Sequence, residues 1–237
     1  MSFHYNGIGT KNELVEGWEY DIKLLDPSFK QRAIEFENRI VEGLEKREYF
    51  VSLTEMEWEK VLGEQGITAG IFFNGELVGL HAVLFPHQSN ENLGLDIGLD
   101  SGAMELVAHL ESVCIHPKHR GKGLHYQLAI YLIEYLKKYT AYRYLLETVA
   151  PGNWSSLKSI LKSGLVIVEL KEKYNGLHRY ICFKDIKTAE LVEFSAIVEC
   201  CPEDILKQEE LLKAGYVGFQ MVRNGNDSKI LFGKTEE

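Results

Sequence analysis

Glu111-Ser112-Val113-Cys114-Ile115-His116-Pro117-Lys118-His119-Arg120-Gly121-Lys122-Gly123-Leu124-His125 is the stretch on which the reading of this chain turns. Met104–Ile115 reads as a strand, and the residues after it change character at once. A proline, two glycines and three cations, Lys118, Arg120 and Lys122, make a basic turn. A helix then begins near Gly121, with Leu124, Leu128, Tyr131, Leu132, Tyr135 and Leu136 at helical spacing. Ile130 and Ile133 make that helix apolar on further sides, so it is expected to lie against a sheet.

A strand that enters a glycine-rich turn and then a helix makes an anion site, because the first N–H groups of the helix have no internal acceptor and point outward. The glycines let the backbone approach a ligand closely, and Arg120 and Lys122 add positive charge. Pyrophosphate suits such a turn. A solvated basic turn whose glycines merely start a helix is the plain alternative.

Outward from this segment, two turns decide how the strands pair. Asn74-Gly75 separates Thr68–Phe73 from Glu76–Phe85, and Asn175-Gly176 separates Leu165–Tyr174 from Leu177–Ile186. Asn-Gly tolerates positive φ at both turn positions and predicts hairpins, which argue for antiparallel pairing against a doubly wound parallel sheet. Residues 86–103, rich in Asn, Asp and Gly, read as a loop, and Tyr142–Val149 reads as a further strand.

Helix signals fill the intervals. After a polar lead-in, Tyr20–Leu25 reads as a strand, and Asp26-Pro27 supplies a cap and a first-turn proline. Phe29, Ala33, Phe36, Ile40 and Leu44 then form one buried stripe. Thr54 and Glu57 form a capping-box pattern for a shorter helix ending near Gly63 or Gly66. Asn153 is placed to cap a helix through Lys162, with Gly164 at its stop. From Thr188 onward a strand near Glu193–Cys200, a helix opening at Pro202, and strands near Tyr216–Val222 and Lys229–Phe232 predict a small β-α-β-β appendage. A piece of that size cannot sustain its own core, so it is expected to dock on the main sheet or across a homodimer interface.

Composition bounds the function. The chain has 237 residues with 45% hydrophobic and 11% aromatic residues, which is globular. Its net charge of -9 disfavours nucleic acid and anionic membrane as partners and suits a cationic amine. No apolar run approaches the roughly 20 residues of a membrane helix, and the start lacks the layout of a signal peptide, so the expected location is cytoplasmic. Cys114, Cys182, Cys200 and Cys201 include no C-x-x-C pair, and His116 and His119 bracket a proline at no familiar ligand spacing. No metal is expected, and the thiols are expected to be reduced and mostly buried.

The strand followed by Pro-x-x-Arg-Gly-x-Gly and a long apolar helix resembles the acyl-CoA-binding motif of the GNAT N-acyltransferase family. Its usual form is Gln or Arg, two variable residues, Gly, one variable residue, then Gly or Ala. Arg120 and Gly123 match it, whereas His125 stands at the last position, where a side chain could crowd the pyrophosphate or hydrogen-bond to it. A second element of the family, an Asn about thirty residues later opening a helix that closes on Gly plus an apolar residue, resembles Asn153-Trp154-Ser155-Ser156-Leu157 with Gly164-Leu165.

The resemblance covers about residues 20–187. It implies an α/β (α+β) fold with a twisted, mixed, mostly antiparallel central sheet flanked by helices. Residues 1–187 would be the acyl-CoA-binding domain and 188–237 a carboxy-terminal extension. Acetyl-CoA would be the co-substrate, held by Val113, Cys114 and Ile115, by the turn Arg120, Gly121, Lys122, Gly123, Leu124 and His125, and by Asn153 and Ser156. The pantetheine arm would lie where the strand ending at Ile115 splays from the one beginning near Tyr142. The acyl group would pass directly to an amine of a small molecule or peptide, with Glu111 as the favoured proton acceptor and His109 as the other candidate. Each has an ordinary reading too: Glu111 as an ion-paired edge carboxylate, His109 as a packing residue, Asn153 as a plain helix cap. Many relatives carry a tyrosine seven residues after the Asn as general acid, and here Ile160 stands there. His125 and Ile160 motivate an alternative, a non-catalytic acyl-CoA-binding sensor or interaction protein.

Overall fold

The computed structural model describes residues 11–15, 18–188, 193–224 and 227–234, so the first ten residues of the lead-in lie outside it. Along the chain, strands β1 (Lys11–Val15) and β2 (Trp18–Leu25) precede helices α1 (Lys30–Glu42) and α2 (Glu55–Leu62). The hairpin β3 (Gly66–Phe73) and β4 (Glu76–Leu84) follows, then the short helix α3 (Ser101–Met104), β5 (Val107–Ile115) and α4 (Leu124–Tyr139). After β6 (Tyr144–Val149) and α5 (Trp154–Lys162) come β7 (Val166–Lys173) and β8 (Leu177–Asp185). The chain closes with β9 (Ala196–Cys200), α6 (Ile205–Lys213), β10 (Val217–Asn224) and β11 (Asp227–Lys234).

The chain divides into two compact units. The first holds residues 1–86 and 108–141. Its strands lie in the order β1-β2-β3-β4-β5 and each neighbouring pair is antiparallel. The β3–β4 turn forms as expected, with Asn74 at φ +50 and Gly75 at φ +80. α1 is entered through Asp26, whose side chain accepts from Ser28 N–H at 2.8 Å, and ends at Gly43, so Leu44 falls just beyond the stripe. α2 opens with the full capping box: Thr54 Oγ1 accepts from Glu57 N–H, and Glu57 Oε2 accepts from Thr54 N–H at 2.7 Å. Both helices pack on one face of the sheet, where Leu25, Ala33, Phe36, Trp58, Leu62, Leu80 and Ala82 share a core. Each of the leucines and Phe36 contributes about 1.5–3 kcal/mol by leaving water, and each alanine less. Side chains alternate along β4, so His81, between Leu80 and Ala82, points to the other face, where it meets α4.

The second unit holds residues 87–107 and 142–237, with strands in the order β6-β8-β7-β10-β11-β9. All its described pairings are antiparallel as well. The segment expected to begin a strand at Met104 is helical there, because Asp100 caps α3 by accepting from Ala103 N–H at 2.8 Å; the strand starts at Val107. Asn92 replaces loop freedom with bonds: its amide donates to His87 O at 2.6 Å and Met104 O at 3.2 Å.

The last strands and helix belong to this second unit. β10 lies beside β7 at the pair Gly218↔Ile167, and a Cβ on Gly218 would fall 2.8 Å from Ile167 Cδ1, which explains the glycine. Tyr180 on β8 donates its buried O–H to Gln208 on α6 at 2.7 Å, and the Gln208 amide donates to Cys201 O and Pro202 O. The helix opens later than the sequence suggests: Asp204, not Pro202, marks its start, accepting from Lys207 N–H at 3.1 Å. Among the described residues no helix is long and apolar enough to cross a membrane. Cys114, Cys182 and Cys200 are buried free thiols, and Cys201 is an exposed one.

Candidate active site

Strand β5 delivers the chain to the turn, and it does so with a bulge. Val113 pairs with His81 and Leu110 with Val83, so β5 carries one residue more than β4 over this span, at Glu111–Ser112. A bulge bends the strand and re-aims the side chains beside it. Glu111 and His109, two residues apart on the strand, meet beside the bulge, with Glu111 Oε1 3.3 Å from His109 Nδ1. The two differ in access: the His109 side chain is 4% exposed and that of Glu111 25%. Glu111 is therefore the more accessible member of the pair.

On the opposite side of the bulge Ser112 is buried and donates its hydroxyl to Glu37 Oε1 on α1 at 2.5 Å. Trp58 on α2 donates its indole N–H to Glu37 Oε2 at 3.3 Å. Burial raises the Glu37 carboxyl above its ordinary value, while the bonds from Ser112, Trp58 and the Leu53 backbone N–H pull against that rise. Cys114, next along this face, is pushed up strongly by burial, so its sulfur is a neutral thiol.

Beyond Ile115 the turn is held by local bonds. His116 Nδ1 accepts from Lys118 N–H at 3.3 Å, and Arg120 Nε donates back to Ile115 O at 3.1 Å. His119 Nδ1 lies 3.1 Å from the Tyr20 hydroxyl and its ring sits against Phe73, which ties the turn to β2 and β3. Burial, then the neighbouring His116 and Lys122, lower the His119 pKa, so at neutral pH it is neutral.

Gly121 at φ +78 and Gly123 at φ +73 lie in the left-handed region that side chains disfavour, and a Cβ on either would meet nothing within 4 Å. The glycines are thus required by backbone shape, and the space beside them is open. α4 follows with no side-chain cap, its first helical hydrogen bond running from Gln127 N–H to Gly123 O. The N–H groups of Lys118, His119 and Arg120 are used within the turn, whereas those at the start of α4 have no acceptor inside the helix and lie beside Arg120 and Lys122 in the chain. This donor set fits a pyrophosphate.

His125, the residue at the motif's last position, turns inward. Its Nε2 is buried and its ring packs edge-to-face on His81, with centroids 5.3 Å apart. Burial brings the His125 pKa down to about 4, and burial together with His125 holds His81 well below its ordinary value. A neutral ring turned towards His81 adds no charge to the turn.

In the second unit Asn153 caps α5, its side chain accepting from Ser156 N–H at 3.4 Å, and Gly164 ends the segment at φ +89. Ile160 is fully buried, so its position serves packing. Among the described residues no group of three or more His, Cys, Asp or Glu side chains could hold a metal ion.

This geometry has relatives. The family model described as Acetyltransferase (GNAT) family matches residues 32–162, more than half of the chain. The chain belongs to the GNAT family of acetyltransferases. Arabidopsis thaliana NAA60, solved in complex with acetyl-CoA, is similar with a TM-score of 0.57 at 15% identity, covering 71% of this chain and 99% of that one. The ribosomal-protein-S18-alanine N-acetyltransferase from Escherichia coli gives 0.53 at 16% identity, over 72% and 96%. Aminoglycoside acetyltransferase AAC(6')-Ib, solved with coenzyme A and kanamycin, gives 0.52 at 16% identity, over 70% and 94%. At such identities the likeness is one of fold. No curated protein matches the chain in sequence. The stretch that resembles the family's motif lies on the turn between β5 and α4; Glu37, bonded to Trp58, meets Ser112 on β5, and His81 on β4 meets His125 on α4, pairings that no local sequence pattern announces.

Proposed function

We propose that this GNAT protein binds acetyl-CoA at the end of β5 and the start of α4 and transfers the acetyl group directly to a primary amine of a small molecule or peptide. The observation that carries the reading is the pair of left-handed glycines, with open space beside them, at the uncapped start of a 16-residue helix flanked by Arg120 and Lys122. The pyrophosphate would take the turn N–H groups and the two cations, and the backbone of Val113, Cys114 and Ile115 would take the pantetheine. Leu124, the first residue of the helix, is buried. Asn153 and Ser156 enter the donor site by family resemblance, alongside their capping bond. Residues 1–187 would then form the acyl-CoA-binding domain and 188–237 an extension docked on the main domain or on a homodimer partner.

An amine attacks only when neutral, so the ammonium proton must leave first; Glu111 takes it, directly or through a water. The nitrogen lone pair then forms the N–C bond, the carbonyl oxygen carries the developing charge, the nitrogen gives up its second proton to solvent, and the C–S bond breaks to release the thiolate. His109, 3.3 Å from Glu111, holds the carboxylate in place. Ile160 offers no proton, so the thiolate, a fair leaving group near neutral pH, is protonated by solvent. The non-catalytic sensor draws no support from the family, and His125, one of the two residues that motivated it, turns its ring towards His81.

The test is thiol release from acetyl-CoA across a panel of primary amines that includes polyamines, aminoglycosides and peptides with free amino termini. Amine-dependent release with stoichiometric N-acetylated product supports the reading. Tight donor binding with no release for any panel member would favour a sensor.

A further inference from the structure

A carboxylate in the middle of an apolar helix stripe is a costly choice. Glu37 lies between Phe36 and Ile40 on the buried side of α1 and is 1% exposed. Removing an ionised carboxyl from water costs several kcal/mol, and an apolar side chain of similar size there would often be neutral or stabilising. The chain instead keeps a carboxylate on which three donors converge: Ser112 O–H from β5, Trp58 N–H from α2 and Leu53 N–H from the segment before α2.

One of those donors stands apart from the rest. Trp58 and Leu53 belong to the helical layer, and bonding them holds helix to helix. Ser112 is 75 positions away in sequence and sits in the bulge of β5. A bulged residue drops out of the ladder, so the strand gives up the hydrogen bonds that elsewhere fix its backbone. The Ser112 hydroxyl supplies a fixed point in their place, one residue from Glu111 and one from Val113.

We infer that Glu37 is a positioning residue for the acetyl-CoA site: through Ser112 it pins the β5 bulge and so sets the backbone of Val113 and the direction of Glu111. The inference rests on the reading that Val113 and Ile115 hold the pantetheine. Glu37 itself touches no substrate, since it is buried behind the strand.

Calorimetric titration of acetyl-CoA into the full chain tests it, with thermal melts on the same samples. Ser112→Ala removes the link and is expected to weaken binding roughly tenfold, the equivalent of one hydrogen bond to a charged group. Ser112→Thr keeps the hydroxyl and restores most of the affinity. Trp58→Phe removes a different donor from the same carboxylate; it lowers the melting temperature at least as much, yet leaves donor affinity within about twofold of wild type. A purely structural Glu37 would instead make affinity follow stability, with Trp58→Phe and Ser112→Ala weakening the donor together, and that result overturns the inference. Wild-type affinity in Ser112→Ala overturns it as well. Absence of wild-type binding is a separate outcome, which removes the donor reading and this inference with it.

Discussion

The turn from His116 to Gly123 and the layer beneath it solve opposite problems. The turn is built from exposed cations and glycines, and its shape comes from positive φ at Gly121 and Gly123 and from local bonds spanning two to five residues. Beneath it, buried Glu37 and Ser112 meet across 75 positions on one face of the sheet, and on the other face buried His81 meets the ring of His125. The outer part is open and cationic. The inner part is adapted to hold the outer part still. Changes in the turn should therefore alter binding or rate with little loss of stability, and changes beneath it should cost stability first.

The sharpest way to break that contrast is Glu111→Gln, at the edge between the two. With Glu111 as the proton acceptor, turnover is expected to fall about 100-fold or more. The alkaline rise of the pH profile should flatten, with the melting temperature nearly unchanged. A variant that keeps the wild-type profile would remove Glu111 as the base and leave the pair with His109 as packing.

The inner layer makes an acid-side prediction. His81 and His125 are held neutral by burial, with pKa values below those in the unfolded chain, and that of His125 is about 4. The unfolded state therefore binds more protons as pH falls below about 6.5, so their stabilising effect is complete above that pH and is lost on the way down towards 4. The melting temperature should drop by several degrees, on the order of 5 °C, between pH 7 and pH 5. His81→Phe, which keeps a ring against His125 and removes one titrating group, should make that drop shallower. An equal drop in the variant would place the acid sensitivity elsewhere.

The smallest effect expected is at Asn153. As a cap, Asn153→Ala costs about 1 kcal/mol of stability. As a residue that also meets the donor, it should weaken acetyl-CoA binding by more than that stability loss explains. Unchanged affinity would confine Asn153 to capping.

The same division explains what the sequence could tell. Hairpins, the capping box at Thr54 and the motif from Arg120 to Gly123 are legible because their signals lie within a few residues: a turn that needs positive φ, a cap that needs an oxygen, a helix start that needs glycine. The fold class and its family follow from these. Met104 was misread as strand because a four-residue helix capped by Asp100 leaves no periodic pattern, and Pro202 because the cap lies two residues further on, at Asp204. The clamp at Glu37 had one visible sign, a charge inside the stripe from Phe36 to Ile40, but its partner Ser112 lies on a strand 75 positions away. The direction of the His125 ring depended on His81 in β4, which no local pattern announces.

The central claim is that the turn between β5 and α4 holds the pyrophosphate of acetyl-CoA, and one titration addresses it directly. Wild type and Gly123→Trp are titrated with acetyl-CoA by calorimetry, with the circular dichroism spectrum of each recorded beforehand. The variant forces a bulky side chain onto a residue at φ +73 and into the open space beside the turn. The account predicts a dissociation constant on the order of micromolar for wild type, about -8 kcal/mol, and no detectable binding for a folded Gly123→Trp. Equal affinity in the two proteins, or none in wild type, would contradict it.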